Sequence, residues 1–160
     1  PSNFELILSN GTDIPVPDGT VNVAFSFQVM EHIHPDDAVE QLRSIYRILA
    51  PGGVYICVTP NRLSGPHDIS MYFDRQATGF HLKEYTVSEL IDLFESVGFQ
   101  KAFVYTGGSG KFVQIPATPM KAFESALGVL PWSVRNFMGA LPGIRHLLLP
   151  AVVGKKATRQ

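Results

Sequence analysis

The chain has 160 residues, 45% of them hydrophobic, with 13 basic and 14 acidic side chains, 5 histidines and a single cysteine. That length fits one domain, residues 1–160, with a buried core, and no apolar run nears the roughly 18 residues that a membrane-spanning helix needs. A net charge of −1 argues against a broad nucleic-acid surface, and the lone Cys57 excludes an internal disulfide, which makes a reducing cytoplasm the natural setting.

In chain order, Phe4 to Leu8 is a short apolar run closed by Ser9-Asn10-Gly11, which reads as a strand followed by a turn. Val21 to Phe27 is apolar at too many positions for a half-exposed sheet and predicts an interior strand. Pro35 suits the first turn of a helix, and Asp36 and Asp37 complement its dipole. Val39, Leu42, Ile45, Tyr46 and Leu49 then recur at helical spacing as one buried stripe. Pro51-Gly52-Gly53 stops this helix, and Val54 to Thr59 is the next buried strand. Two apolar strands flanking a helix imply a right-handed parallel crossover and an α/β fold.

Residues 61–83 lack a clear period and carry the breakers Gly65, Pro66 and Gly79, so they form a long loop or lid. Thr86 and Glu89 make a capping box for a helix that buries Leu90, Ile91, Leu93, Phe94 and Val97 and stops at Gly98-Phe99. Ala102 to Tyr105 is a further strand. Gly107-Gly108-Ser109-Gly110-Lys111 lacks the spacing of a phosphate loop and reads as a connector. Residues 112–150 then predict a helical cap, and residues 151–155 a last strand. Residues 1–120 carry 7 basic and 13 acidic side chains, whereas residues 121–160 carry 6 basic and 1 acidic. Two readings stand for this basic, apolar tail: a packed cap with solvated charges, or a contact with an anionic or lipid-like substrate.

In an open parallel sheet, ligands bind outside the carboxyl ends of the strands. Three loops leave such ends here: residues 9–12, 28–34 and 60–81. The last carries His67, Asp68 and His81. A histidine, whose ordinary pKa lies near neutrality, suits a general base toward a hydroxyl, so His67 and His81 are the candidate catalytic residues, with an idle surface histidine as the competing reading. His34, His67 and His81 match no zinc spacing and have no companion cysteine. No Gly-x-Gly-x-x-Gly follows a strand, which removes dinucleotide binding.

The segments VNVAFSFQVMEHIH (Val21 to His34), IYRILAPGGVYICVTPN (Ile45 to Asn61) and HLKEYTVSELIDLFESVGF (His81 to Phe99) occur in an order and spacing that resemble class I S-adenosylmethionine-dependent methyltransferases, close to the type 11 and quinone-pathway O-methyltransferases. The resemblance spans about residues 4–105. It implies a Rossmann-like, mostly parallel sheet of which this chain, opening on Pro1 and lacking the cofactor-binding glycine loop, holds the carboxy-terminal portion without the first two strands. It implies S-adenosylmethionine as cofactor, with Asn10 and Gly11 against the adenine and Phe27, Gln28 and Val29 lining its methionine and adenine parts. It further implies methyl transfer to a small molecule, with a hydroxyl oxygen as the expected acceptor. The alternative is an inactive methyltransferase-like fragment that serves as a binding module, and a missing sheet neighbour allows for a second copy or a complementing chain as partner. Some relatives carry Glu-x-x-Glu-His at Gln28 to His32 and hold magnesium there. Gln28 replaces the first carboxylate, which weakens a site for a hard cation, so no metal ligand is expected among these residues and a structural His32 with a helix-entry Glu31 is the competing reading.

Overall fold

The computed structural model describes residues 3–108 and 111–158. Its sheet has five strands: β1 (Val21–Phe27), β2 (Leu49–Val58), β3 (Lys101–Gly108), β4 (Lys111–Ile115) and β5 (Ala151–Lys155), in the spatial order β1-β2-β5-β3-β4. β1 and β2 pair in parallel, and the other three pairings are antiparallel. The expectation of a mostly parallel sheet is corrected by this arrangement. β1, β2 and β3 do run the same way, but β5 inserts between β2 and β3 in the opposite sense, so both of its ladders are antiparallel.

Local signals built the central elements as the residues predicted. Helix α1 spans Pro35–Ile48, with Pro35 at its start and His34 as N-cap, and buries Ala38, Leu42, Ile45 and Ile48. It ends one turn before Pro-Gly-Gly, and Leu49 already pairs with Val21. The pairing then skips to Val23 with Val54, so Ala50 to Gly53 bulge out of the ladder. Helix α2 spans Val87–Ser96 and opens on the complete capping box of Thr86 and Glu89. It closes as a Schellman motif: Gly98, at φ +106°, donates its N–H to the carbonyl of Glu95, and Phe99 donates to Phe94.

The core lies between α1, α2 and the sheet. Phe94, fully buried, stacks on Tyr55 at 5.3 Å between ring centroids and packs against Phe99 at 5.0 Å. Gly154 of β5 makes this possible, since a Cβ there would lie 2.6 Å from Phe94 and 2.7 Å from Phe99.

Three expectations fail at the margins. Val21 to Phe27, read as an interior strand, forms β1 at the edge of the sheet among the described residues, with Val23, Phe25 and Phe27 exposed because no neighbouring element covers them. Phe4 to Leu8 forms no strand and stays exposed, Phe4 at 76% and Leu8 at 85%. Its backbone finds no ladder partner among the described residues, and an isolated extended segment is not held by its own side chains. Residues 112–150 are not wholly helical: β4 pairs back onto β3 as a hairpin, part of whose turn, Ser109 and Gly110, lies outside the described residues. Helices α3 (Ala117–Gly128), α4 (Trp132–Ala140) and α5 (Pro142–Leu148) follow it. No helix among the described residues is long and apolar enough to cross a membrane.

Candidate active site at the carboxyl rim

β1 and β2 end side by side, and the chain leaving each supplies the site. After β1 the backbone turns through Gln28, which takes a left-handed φ of +55° and donates its N–H to the Val58 carbonyl across the rim. A non-glycine residue in that region marks a turn whose surroundings enforce it. The turn sends Glu31 inward and leaves Phe27, 62% exposed, and Val29 open at the strand end. Asn10 lies on the neighbouring loop. Its Oδ1 accepts hydrogen bonds from the N–H groups of Thr12 at 3.0 Å and Asp13 at 2.7 Å, so this oxygen serves the local turn. Gly11 adopts φ +95°, and its carbonyl accepts from Gln41 Nε2 at 2.9 Å.

After β2 the lid begins at Asn61 and is pinned at three points. Asp68 accepts the N–H groups of Gly79, Phe80 and His81 at 2.9, 2.8 and 3.1 Å on one oxygen, and that of Ser70 at 3.0 Å on the other, which also receives the Ser70 hydroxyl. Burial alone would raise this carboxyl; the Ser70 hydroxyl and the N–H groups of His81, Ser70 and Phe80 outweigh it and hold Asp68 well below the usual carboxylate range. Only glycine fits at residue 79, where a Cβ would lie 2.8 Å from the Asp68 Oδ2. The second pin is the Glu31 carbonyl, which accepts from Leu82 and Lys83.

Glu84 is the third. Its Oε1 accepts the His67 N–H at 2.6 Å and faces His81 Nδ1 at 2.8 Å. The two histidines singled out from the sequence therefore meet at one carboxylate, but in different ways. His81, its side chain 10% exposed, has its Nδ1–H held by Glu84, which leaves Nε2 as the proton acceptor. His67 engages Glu84 through its backbone, while its Nε2 lies 2.9 Å from Ser64 Oγ and 3.2 Å from the Asn61 carbonyl. His34 is apart from both, at the start of α1. Nothing in the periodicity marked Glu84; the signal was its position just before the capping box, at the end of the lid.

Glu31, His32 and His81 each offer one donor atom, and these atoms lie within 4.8 Å of one another. Glu31 is fully buried. Its Oε2 accepts the Thr59 hydroxyl at 2.7 Å, while its Oε1 has no hydrogen-bond partner among the described residues. His32 Nδ1 meets the Phe80 carbonyl at 3.1 Å, and its ring stands edge-on to His81 at 5.0 Å. Gln28 is outside this group. Cys57 takes no part: burial pushes its thiol up to about 11, which keeps it protonated and inert.

Comparison with known proteins bears on the family and the fold. A family model described as a methyltransferase domain matches residues 3–102. The chain is 36% identical over 91 residues to a Mycolicibacterium smegmatis protein named "Probable S-adenosylmethionine-dependent methyltransferase", an alignment that covers 57% of this chain and 33% of that protein. Among solved structures it resembles a SAM-dependent methyltransferase from Thermotoga maritima, with a TM-score of 0.59 at 16% identity over 92% of this chain and 62% of the other. It also resembles a chain of the complex between the Haloferax volcanii Trm112 methyltransferase activator and a methyltransferase, with a TM-score of 0.60 at 19% identity over 95% and 60%. At such identities the structures share the fold alone. The curated relative is aligned over about a third of its own length.

Proposed function

The chain belongs to the methyltransferase-domain family whose model it matches, and on that premise we propose that it serves methyl transfer from S-adenosylmethionine to a small hydroxylated acceptor. The observation that carries the hydroxyl is the His81–Glu84 pair, a carboxylate-oriented imidazole beside the ends of two parallel strands. S-adenosylmethionine, when bound, would supply an electrophilic methyl that an acceptor oxygen attacks in line, with S-adenosylhomocysteine as the leaving group. The residues present fit one wall of its site: the apolar side chains of Phe27 and Val29 are open at the rim, and Asn10, with its Oδ1 engaged in the turn, has an amide nitrogen to offer a purine edge.

His81 Nε2 would take the proton of the hydroxyl as the oxygen attacks, and Glu84 would hold the tautomer that makes this possible and stabilise the imidazolium formed. His67 stands one hydrogen bond away and braces Glu84 through its N–H. Asp68 fixes the lid over the rim, and the main gains are orientation and exclusion of water. In the full gene product, His81→Ala lowers kcat on the native acceptor by about a hundredfold while S-adenosylhomocysteine affinity stays within about twofold. Unchanged turnover in His81→Ala contradicts this reading.

A second reading is favoured by the unpartnered Glu31 Oε1. Two imidazoles and one carboxylate suit a borderline transition-metal ion better than magnesium, which prefers oxygen donors. Such an ion would lower the pKa of an acceptor hydroxyl bound to it. Under this reading a chelator abolishes turnover and zinc or manganese restores it where magnesium does not; under the first, activity survives the chelator.

A further inference from the structure

Glu84 also lines a cavity of about 460 Å³ between the lid and the helical tail, and this lining carries four cations, Arg62, Arg75, Lys83 and Arg135, against the single acid Glu84. We propose that this cavity anchors a small acceptor through a phosphate or carboxylate group, gripped by Arg75 and Arg135; the inference rests on the acceptor reading above and extends it to the substrate's chemical class. The volume is that of a small-molecule pocket.

The four cations are not equivalent. Arg62 and Lys83 both reach the Glu89 carboxylate, at 3.3 and 3.8 Å, and so share one countercharge. Glu84, the only lining acid, is turned to the His67 N–H and His81 Nδ1. Arg75 and Arg135 have no carboxylate within 4.0 Å among the described residues. Arg75 instead lies over the Trp132 ring at 5.6 Å to its centroid, which fixes the plane of its guanidinium. Trp132 opens α4 and Arg135 follows one turn later.

Both of these α4 residues carry a buried N–H without a partner, Trp132 Nε1 and Arg135 Nε. An unsatisfied buried donor is costly, a guanidinium's most of all, and of the two Arg135 lines the cavity, where its open donor calls for an acceptor of hydrogen bonds. A planar fork meets the two oxygens of a carboxylate or phosphate in parallel. In a chain of net charge −1, uncompensated positive charge gathered at one small cavity is a recognition feature rather than a solubility one. Because Glu84 belongs to the cavity wall and to the His81 pair alike, an anionic end held here leaves the remainder of the molecule beside His81.

Trp132 is the only tryptophan, so its fluorescence reports on the cavity. The protein is titrated with inorganic phosphate and, separately, with sodium acetate at ionic strength held constant with sodium chloride, with calorimetry in parallel because Arg75→Gln alters the indole's surroundings. A saturable response to at least one anion is expected, weakened at least about tenfold in Arg75→Gln and in Arg135→Gln and unchanged in Arg145→Gln, an exposed cation on α5 outside the cavity. Saturation by phosphate alone assigns a phosphoryl group, and saturation by acetate assigns a carboxylate. A linear response to both, or equal weakening in Arg145→Gln, overturns the proposal, as does full binding by both cavity variants. S-adenosylhomocysteine is titrated alongside to millimolar concentration, where one wall of its site suffices to hold it: its failure to bind there with anion binding intact removes the methyl-transfer reading and leaves the anion site, whereas the reverse result removes the anion site alone.

Discussion

Asp68 and Glu84 are buried, hydrogen-bonded carboxylates, and the lid they hold is tied to the Glu31 carbonyl after β1 and, through Asn61, to Glu124 of the tail. Along β1 the opposite holds: Val23, Phe25 and Phe27 stand open, as do Phe4, Leu6 and Leu8 before them. The proposed acceptor side is thus a carboxylate network beside a cationic cavity, while the proposed cofactor side presents one apolar wall. The difference separates two kinds of energetics, packed and networked against exposed, and each can be broken independently.

The largest effect is expected in the core beneath the lid. Phe94→Ala removes a fully buried ring stacked on Tyr55 and should destabilise by about 3–5 kcal/mol, or lower the melting temperature by roughly 10 °C. Phe25→Ala, on the open face, should cost under about 0.5 kcal/mol. Equal losses would mean that β1 is covered in solution.

Glu124 comes next. From α3 it accepts Asn61 Nδ2 at 2.7 Å, the N–H groups of Val87 and Ser88 at 2.7 and 2.8 Å, and the Ser88 hydroxyl at 2.6 Å, tying the start of the lid to the first turn of α2. Glu124→Ala leaves those donors buried and unpaired, and chemical denaturation should register a loss of about 2–4 kcal/mol. A loss below about 1 kcal/mol would show that the network does not organise the site.

These contrasts bear on what the residues disclosed in advance. α1, α2, β1 and β2 were legible because their signals are local: Pro35 at a helix start, the Thr86–Glu89 box, Gly98 with Phe99 at a stop, and apolar runs between turns. The insertion of β5 between β2 and β3 was not, since strand order depends on contacts 46 or more residues apart. Within the site, His67 and His81 could be named from their loop, but the carboxylate that joins them could not, and neither could the approach of His81 to Glu31 and His32. Asp68, noted only as sharing their loop, proves to be a lid anchor. Arg75 and Arg135 lie 60 residues apart and share a cavity only after the tail folds back.

A smaller, pH-dependent effect should arise at Asp68. Its carboxyl is held below the ordinary range in the folded chain, so its contribution is fully present above the unfolded pKa of about 4 and is lost as pH falls from there toward the folded value. The protection of lid amides 79–81, taken relative to the intrinsic exchange rate at each pH, should therefore be high at neutral pH and fall below about pH 4. Asp68→Asn should lose about 1–3 kcal/mol of lid stability and abolish that step. A wild-type profile in the variant would remove Asp68 from its anchoring role.

The division of the rim into a cofactor wall and an acceptor wall is tested most directly by amide chemical-shift mapping of the labelled protein with two probes added separately. Millimolar S-adenosylhomocysteine should move Asn10, Gly11 and Phe27 to Val29 and leave the cavity residues in place, whereas inorganic phosphate should move Arg62, Arg75 to Ala77 and Leu82 to Glu84 and leave the β1 rim in place. Shifts from both probes on the same residues, or S-adenosylhomocysteine shifts confined to the lid and tail, would contradict the account.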